Sequence, residues 1–345
     1  MARIFSTNKS TVVIHVVSGL LLGWFIHIAY ASWSEKVVPL LPVQNTSNNQ
    51  VRVNLPQYSL IAPPLYSETA KSNNPTFKIL ENKVADFVAS TTAGKQADSV
   101  SVYFRDLNTA QWTGVNEDQS YRPSSMLKVI AMMAALKLAE QDPSILQEKL
   151  PLVVSESSGL QYFKPNDHVI SGKYQVQDLI ALMIKYSDND ALDALLSDTR
   201  INDEFGQIYT FFRLPVATAT STDYMSPRSY AGLFISLYNS TLFQWGLSQQ
   251  VLGLLADTTF KQGLVAGIPD GVVVAHKFGE NTDIDATTDA QVNKELHDCG
   301  IVYVPKKPYL LCVMTRGQDF AALSNVISGI SKLVYNQVTA SSIKP

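Results

Sequence analysis

The chain has 345 residues, 46% of them apolar and 10% aromatic, enough to pack one large domain or two modest ones. A formal net charge of −3, with no Lys/Arg stripe interleaved with aromatics, provides no bulk field for polyanions and predicts no nucleic-acid partner. The histidines (His15, His27, His168, His276, His297) and the two cysteines (Cys299, Cys312) show no metal-ligand spacing, so neither a metal nor another cofactor is expected.

Residues 10–34 contain no Asp, Glu, Lys or Arg, and the stretch TVVIHVVSGLLLGWFIHIAYA at 11–31 is long and apolar enough for one membrane-spanning helix. Arg3 and Lys9 precede it, which places the N-terminus inside and everything after Ala31 outside. The expectation is a cytoplasmic start and signal-anchor over 1–32 that holds an extracytoplasmic domain at the cell membrane. Ala29-Tyr30-Ala31 leaves cleavage after Ala31, and hence secretion, as the alternative. Gly19 and Gly23 form a small-residue pair, which in an apolar run says little about helix pairing. From 33 to 75 there are six prolines and no helical or alternating period, a pattern that reads as an extended linker.

Beyond the linker, residues 77–90 have apolar side chains at helical spacing, and 99–121 read as two strands around an RDLNTAQ turn. Helical segments fill the middle of the chain. Strands follow at 271–279, 299–305 and 309–315, the last two joined by Lys-Lys-Pro, and a closing helix spans 320–338 ahead of a tail at 339–345. This order predicts an α+β domain over 76–338: an antiparallel sheet drawn from both ends of the domain, flanked by helices, with an all-helical subdomain inserted. Cys299 and Cys312 fall on adjacent strands. Two buried free thiols are the expected state, and a disulfide facing an oxidising exterior is the alternative.

The chemistry concentrates at YRPSSMLKVIAMMAALK, residues 121–137, where a lysine stands near the start of an almost wholly apolar helical run. Residues three apart on a helix are neighbours, so Lys128 faces Ser125. Burial disfavours a charged amine and lowers its pKa toward the range where it can take a proton from a serine hydroxyl. Free backbone N–H groups at the helix start can also hold a developing oxyanion. Two other Ser-x-x-Lys matches, Ser6 to Lys9 and Ser341 to Lys344, lie in the leader and the tail. Alone, therefore, the pattern fits a helix cap and a snorkelling lysine as well as it fits a nucleophile and its base.

Two more segments change this. Ser187-Asp188-Asn189 opens another apolar helical run, and Lys277-Phe278-Gly279 ends a strand. Ser-x-x-Lys, Ser-Asp-Asn and Lys-x-Gly in this order resemble the class A beta-lactamases and penicillin-binding proteins, and the order of elements over about 77–338 resembles theirs too. The resemblance implies a five-stranded sheet and an exported serine hydrolase that attacks beta-lactam or D-Ala-D-Ala-like amide carbonyls through an acyl-serine. Its partner would be a beta-lactam or a peptidoglycan-peptide-like substrate. Ser125 would be the nucleophile and Lys128 its base. Ser187 and Lys277 would pass a proton to the leaving nitrogen, and Asn189 would hold Lys128 and the substrate amide. Asp188 would be structural, the N–H groups of Ser125 and Glu280 would form the oxyanion hole, and Phe278 and Gly279 would line the substrate. A D,D-peptidase, an esterase or a silent binding module of the same fold stays open.

The sequence departs from that family's pattern in three places. Residues 199–234 lack the Glu-x-x-Leu-Asn segment whose glutamate activates the deacylating water, leaving Asp203, Glu204 and Asp223 as the nearby acids. Phe278 replaces the usual hydroxyl residue between Lys and Gly. Cys299 aligns with the arginine that many class A enzymes direct at the substrate carboxylate.

Overall fold

A computed structural model of the chain describes residues 51–52, 58–62, 64–66, 74–155, 161–163, 169–219, 221–284 and 291–340. The apolar segment at 11–31, with its Gly19/Gly23 pair, and the Ser341 to Lys344 match lie outside the described residues. Among those described, no helix is long and apolar enough to cross a membrane.

Two short strands, β1 (Val51–Arg52) and β2 (Pro64–Tyr66), pair ahead of the first helix. Leu80, Val84 and Val88, four residues apart, form the buried stripe of α1 (Pro75–Ala93), which Asn74 caps by accepting from Thr76 N. β3 (Ser99–Asp106) and β4 (Trp112–Val115) make the hairpin expected around the RDLNTAQ turn. The middle of the chain supplies α2 (Lys128–Gln141), the ribbon β5 (Lys149–Leu152) and β6 (Gly172–Gln175), α3 (Val176–Lys185), α4 (Asn189–Leu196), α5 (Thr199–Phe211), α6 (Pro227–Asn239) and α7 (Trp245–Ala256). β7 (Val274–Ile284), β8 (Gln291–Val302), β9 (Tyr309–Gly317) and α8 (Phe320–Ala340) complete it. The five-stranded sheet has the order β4-β3-β9-β8-β7, antiparallel throughout. The inserted helical subdomain is present as expected, with the β5–β6 ribbon as an addition.

Alternation along the strands divides the interior in two. From β9, Tyr309, Leu311 and Val313 face a core shared with α1 and α8, while Leu310, Cys312 and Met314 face the helical subdomain. The centre of the second core is α2, whose residues from Lys128 to Leu136 are all buried. A helix with no polar face has to be surrounded by protein. The unbroken apolar run ahead of Lys137 thus specifies the middle of a subdomain.

Two expectations need correction. Cys299 and Cys312 are not free thiols. They stand directly opposite in the β8–β9 register, with Cα atoms 4.0 Å apart, and form a disulfide. Facing positions in an antiparallel pair bring the two side chains together, and this proximity outweighs the geometric argument against a direct cross-strand bridge. The linker expected over 33–75 also does not hold throughout, because residues 58–62 are docked on the domain. Ile61 is buried in the subdomain core, Ala62 N donates to Tyr238 O at 3.0 Å, and Tyr303 Oη donates to Leu60 O at 2.9 Å. Proline content suggested an extended chain, and an extended chain can still bury one isoleucine.

Candidate active site

Ser125 lies in a 3-10 turn, Ser124–Leu127, that leads directly into α2. Ser124 has φ of +50°, a left-handed conformation that is strained for a side-chain-bearing residue. The turn is held by Met126 N donating to Pro123 O at 3.0 Å and by the buried Tyr230 hydroxyl donating to Met126 O at 2.9 Å. Strand β7 passes close beside it. A Cβ at Gly279 would lie 2.8 Å from Pro123 O and 2.7 Å from Met126 Cγ, so only glycine permits this approach. The Glu280 backbone is thereby carried alongside the turn that bears Ser125.

Ser187 sits in the link between α3 and α4, fully buried, with φ of +58°. Asp188 is the N-cap of α4 and accepts from Ala191 N at 2.7 Å, a structural role that pins the link. Asn189 follows as the first residue of α4. These constraints converge on Lys128. Its Nζ lies 3.0 Å from Ser125 Oγ, 3.3 Å from Ser187 Oγ, 2.5 Å from Ser187 O and 2.5 Å from Asn189 Oδ1. From β7, Lys277 Nζ donates to Ser187 Oγ at 2.9 Å and to Phe278 O at 2.8 Å. The structure therefore gathers Ser125, Lys128, Ser187, Asn189 and Lys277 into one hydrogen-bonded chain.

Burial governs the electrostatics of this chain. It lowers the Lys128 pKa to about 7, against the opposing charges of Asp188, Glu280, Asp193 and Asp190. Lys277 is held well below the ordinary lysine range, first by burial and then by the neighbouring Lys128 charge. At neutral pH Lys128 is populated in both forms, so it can accept a proton from one hydroxyl and release it toward another.

Phe278 offers the site no hydroxyl donor. Its ring stacks on Phe260 at 4.1 Å between centroids and packs edge-on to Phe163. Cys299, opposite Lys277 in the β7–β8 register, is buried in the disulfide. Sequence reasoning missed the Glu280 side chain, whose carboxylate accepts from Tyr162 N at 3.2 Å and Phe163 N at 3.3 Å. It also missed Gln161, whose Nε2 donates to Ser187 O at 3.3 Å. No local motif marks either contact, because each joins β7 or the Ser187 link to a loop more than twenty residues away in sequence.

Of the acids expected near the site, Asp223 is paired with Arg316, which also holds Glu295, and Asp203 and Glu204 lie on α5. Among the four carboxylates that act on Lys128, Asp188 caps α4, Asp190 accepts from Ser155 Oγ at 2.7 Å and Glu280 holds the 162–163 backbone. Asp193, one helical turn beyond Asn189, is the one with an exposed side chain.

An antiparallel sheet with terminal helices on one face, a helical subdomain on the other and a Ser-Lys-Ser-Lys chain at the junction defines a class of serine active-site fold. The sequence profile of the beta-lactamase enzyme family matches residues 79–338, and the chain belongs to that family. It is 27% identical over 190 residues to beta-lactamase CTX-M-8 from Citrobacter amalonaticus, an alignment covering 51% of this chain and 64% of that relative, less than two thirds of its length. Among solved structures it resembles PBP-A, with a TM-score of 0.62, 22% identity, 79% of this chain and 100% of that one covered. It also resembles a class A beta-lactamase from Bacteroides cellulosilyticus, with a TM-score of 0.61, 19% identity, and 76% and 99% of the two chains covered. At these identities the structural likeness establishes the fold.

Burial holds the Lys277 amine well below its unfolded pKa, and between the two values the native state is penalised for the proton the unfolded chain carries. Below the unfolded pKa of about 10.5 and above its native one, the unfolded chain binds the extra proton, so stability rises with pH across that window. Lys277→Met removes this cost while Lys128 still reaches Ser187 Oγ. The expected result in chemical denaturation at pH 7 is unchanged or higher stability, by up to roughly 1–2 kcal/mol, and a flatter rise toward pH 10. A loss of more than about 2 kcal/mol would show instead that the amine is a structural tie.

Proposed function

We propose that this protein is a serine acyl-transfer hydrolase with Ser125 as nucleophile and Lys128 as its base. The observation that carries the reading is the buried Lys128 amine 3.0 Å from Ser125 Oγ, its pKa lowered by burial to about 7. Ser125 Oγ attacks a carbonyl, its proton passes to Lys128, and the oxyanion is held by the N–H groups of Ser125 and Glu280. Ser187, bonded to both lysines, hands a proton to the leaving nitrogen or oxygen. Asn189 orients Lys128, and Gly279 lets the strand lie against the substrate. The reading draws support from PBP-A, of which a mutant has been solved as an acyl-enzyme complex with penicillin G. For this chain the proposed substrates are beta-lactams or peptidoglycan-like peptides, with slow release of the acyl group. Slow release follows because the Asp223 carboxylate is tied to Arg316 and no glutamate stands on the 212–225 segment.

The chain is further proposed to be exported and anchored through 11–31, with the catalytic domain outside the cell. If so, the full chain stays with membranes after a high-pH carbonate wash. Its release into the soluble fraction would remove the anchor.

With a penicillin or an activated ester, intact-protein mass spectrometry minutes after mixing is expected to show one covalent adduct, absent in Ser125→Ala. The acylation rate should rise with pH through about 7, because only the neutral Lys128 amine accepts the proton. Turnover should show a burst and then a slow phase, general-base help in deacylation being worth about 10²–10⁴-fold. Rapid hydrolysis with no adduct would mean a working base, and Asp193→Asn is then the first variant to make. No adduct with either substrate would contradict the acyl-serine reading.

A further inference from the structure

Ser187 hands its proton to the atom that leaves, so whatever borders Ser187 away from Ser125 receives the leaving group. Ser187 itself is fully buried, and a cleft of about 610 Å³ is lined by the residues next to it and to Lys277 in the chain. Tyr186, the residue before Ser187, and Phe278, the residue after Lys277, are both in its wall, together with Tyr162, Phe163 and Phe260. The rest of the lining is uncharged. The rings are packed as a cluster. Phe163 stands edge-on to Tyr162, Phe260 and Phe278, and Lys277 Nζ lies 4.2 Å from the Phe278 centroid, which connects the cleft to the proton path.

A leaving group that carried a carboxylate would need a cation here. Lys277 is spent on Ser187 Oγ and Phe278 O, is fully buried and is kept below the ordinary lysine range. Lys294 rests over the Phe320 ring and is not part of the cleft wall. Glu280 adds negative charge beside the site, and its position is fixed by the two N–H groups of the wall residues Tyr162 and Phe163.

We propose that this aromatic cleft takes an uncharged, apolar or aromatic leaving group, and that Glu280 selects against an anionic one. The inference rests on the acyl-serine reading and narrows its substrates: penicillins and D-Ala-terminated peptides, whose departing halves carry a carboxylate, become the poorer ones. The substrate class it names is esters, thioesters or amides whose departing half carries no carboxylate. In the first step the Ser125 Oγ–acyl bond forms and the bond from the acyl carbon to sulfur, oxygen or nitrogen breaks. The hydroxyl proton of Ser125 leaves through Lys128, and the leaving atom departs protonated by way of Ser187. Aromatic walls favour the apolar half by burial, and the fixed carboxylate disfavours a second negative charge by repulsion.

The test uses the full-length protein and two thioesters with the same phenylacetyl group, one releasing benzyl mercaptan and the other mercaptoacetate. Values of kcat/KM report steps through acylation, so a slow deacylation common to both drops out. The neutral thioester is expected to react at least about tenfold faster, and Glu280→Gln should shrink that ratio severalfold. Equal or faster reaction of the mercaptoacetate ester in the unaltered protein would overturn the inference while leaving acyl transfer in place. A ratio unchanged in Glu280→Gln would remove Glu280 as the selector. Reaction of neither ester, with no adduct on Ser125, would instead sink the acyl-serine reading beneath it.

Discussion

Keeping a lysine amine out of water at the start of an apolar helix is costly, and the surroundings of Lys128 are arranged around that cost. The helix that carries it is buried on all sides from Lys128 to Leu136, so the amine cannot snorkel to solvent and has to find oxygens inside the protein. It finds four, on Ser125, on Asn189 and twice on Ser187. Supplying them is what the strained backbone at Ser187, the Asp188 cap and the start of α4 accomplish together. Burial lowers the pKa of this amine to about 7, and a partly neutral amine is what the proposed activation of Ser125 requires. Under that proposal, stability is given up for chemistry at one atom.

The second half of the site comes from the sheet. β7 delivers Lys277 to Ser187 and runs so close to the Ser125 turn that Gly279 leaves no room for a Cβ. The strand itself is fixed through β8 and β9, which the Cys299–Cys312 disulfide joins, and through the buried His276–Asp298 pair, whose Asp298 also accepts from Leu264 N at 2.8 Å. Two bodies of structure, one helical and one a sheet, meet at a hydrogen bond between Ser187 and a lysine from each. Displacement of either body would break the hydrogen bonds that join Ser187 to Lys128 and Lys277.

Much of this was legible in sequence because it follows periodicity. The apolar spacing of α1 and α8, the hairpin of β3 and β4, and the three motifs with their serines and lysines are all local patterns. What was not legible depends on distant partners. β8 begins at Gln291, well before the expected Cys299, because Glu295, His297 and Asp298 interrupt the apolar pattern. Each is buried against a partner, Arg316, the Arg122 carbonyl and His276 respectively. A charged residue reads as surface until its partner is known. Glu280 shows the same limit, since only the fold brings its carboxylate to Tyr162 and Phe163. The cysteines show it too: the strand pairing was apparent, but the register that sets them face to face was not. Ile61 was overlooked because prolines around it suggested a chain with nothing to dock on.

The chemistry proposed for Ser125 depends on the protonation state of one atom, Lys128 Nζ. Labelling lysine side chains at Cε with carbon-13, assigning Lys128 by comparison with Lys128→Arg, and following its shift from pH 5 to 11 measures that state without any substrate. A midpoint near 7, well below the ordinary lysine value of about 10.4, is the result the account predicts. A Lys128 midpoint among those of the exposed lysines would contradict it, because the amine beside Ser125 would then be a fixed cation with no capacity to accept a proton at neutral pH.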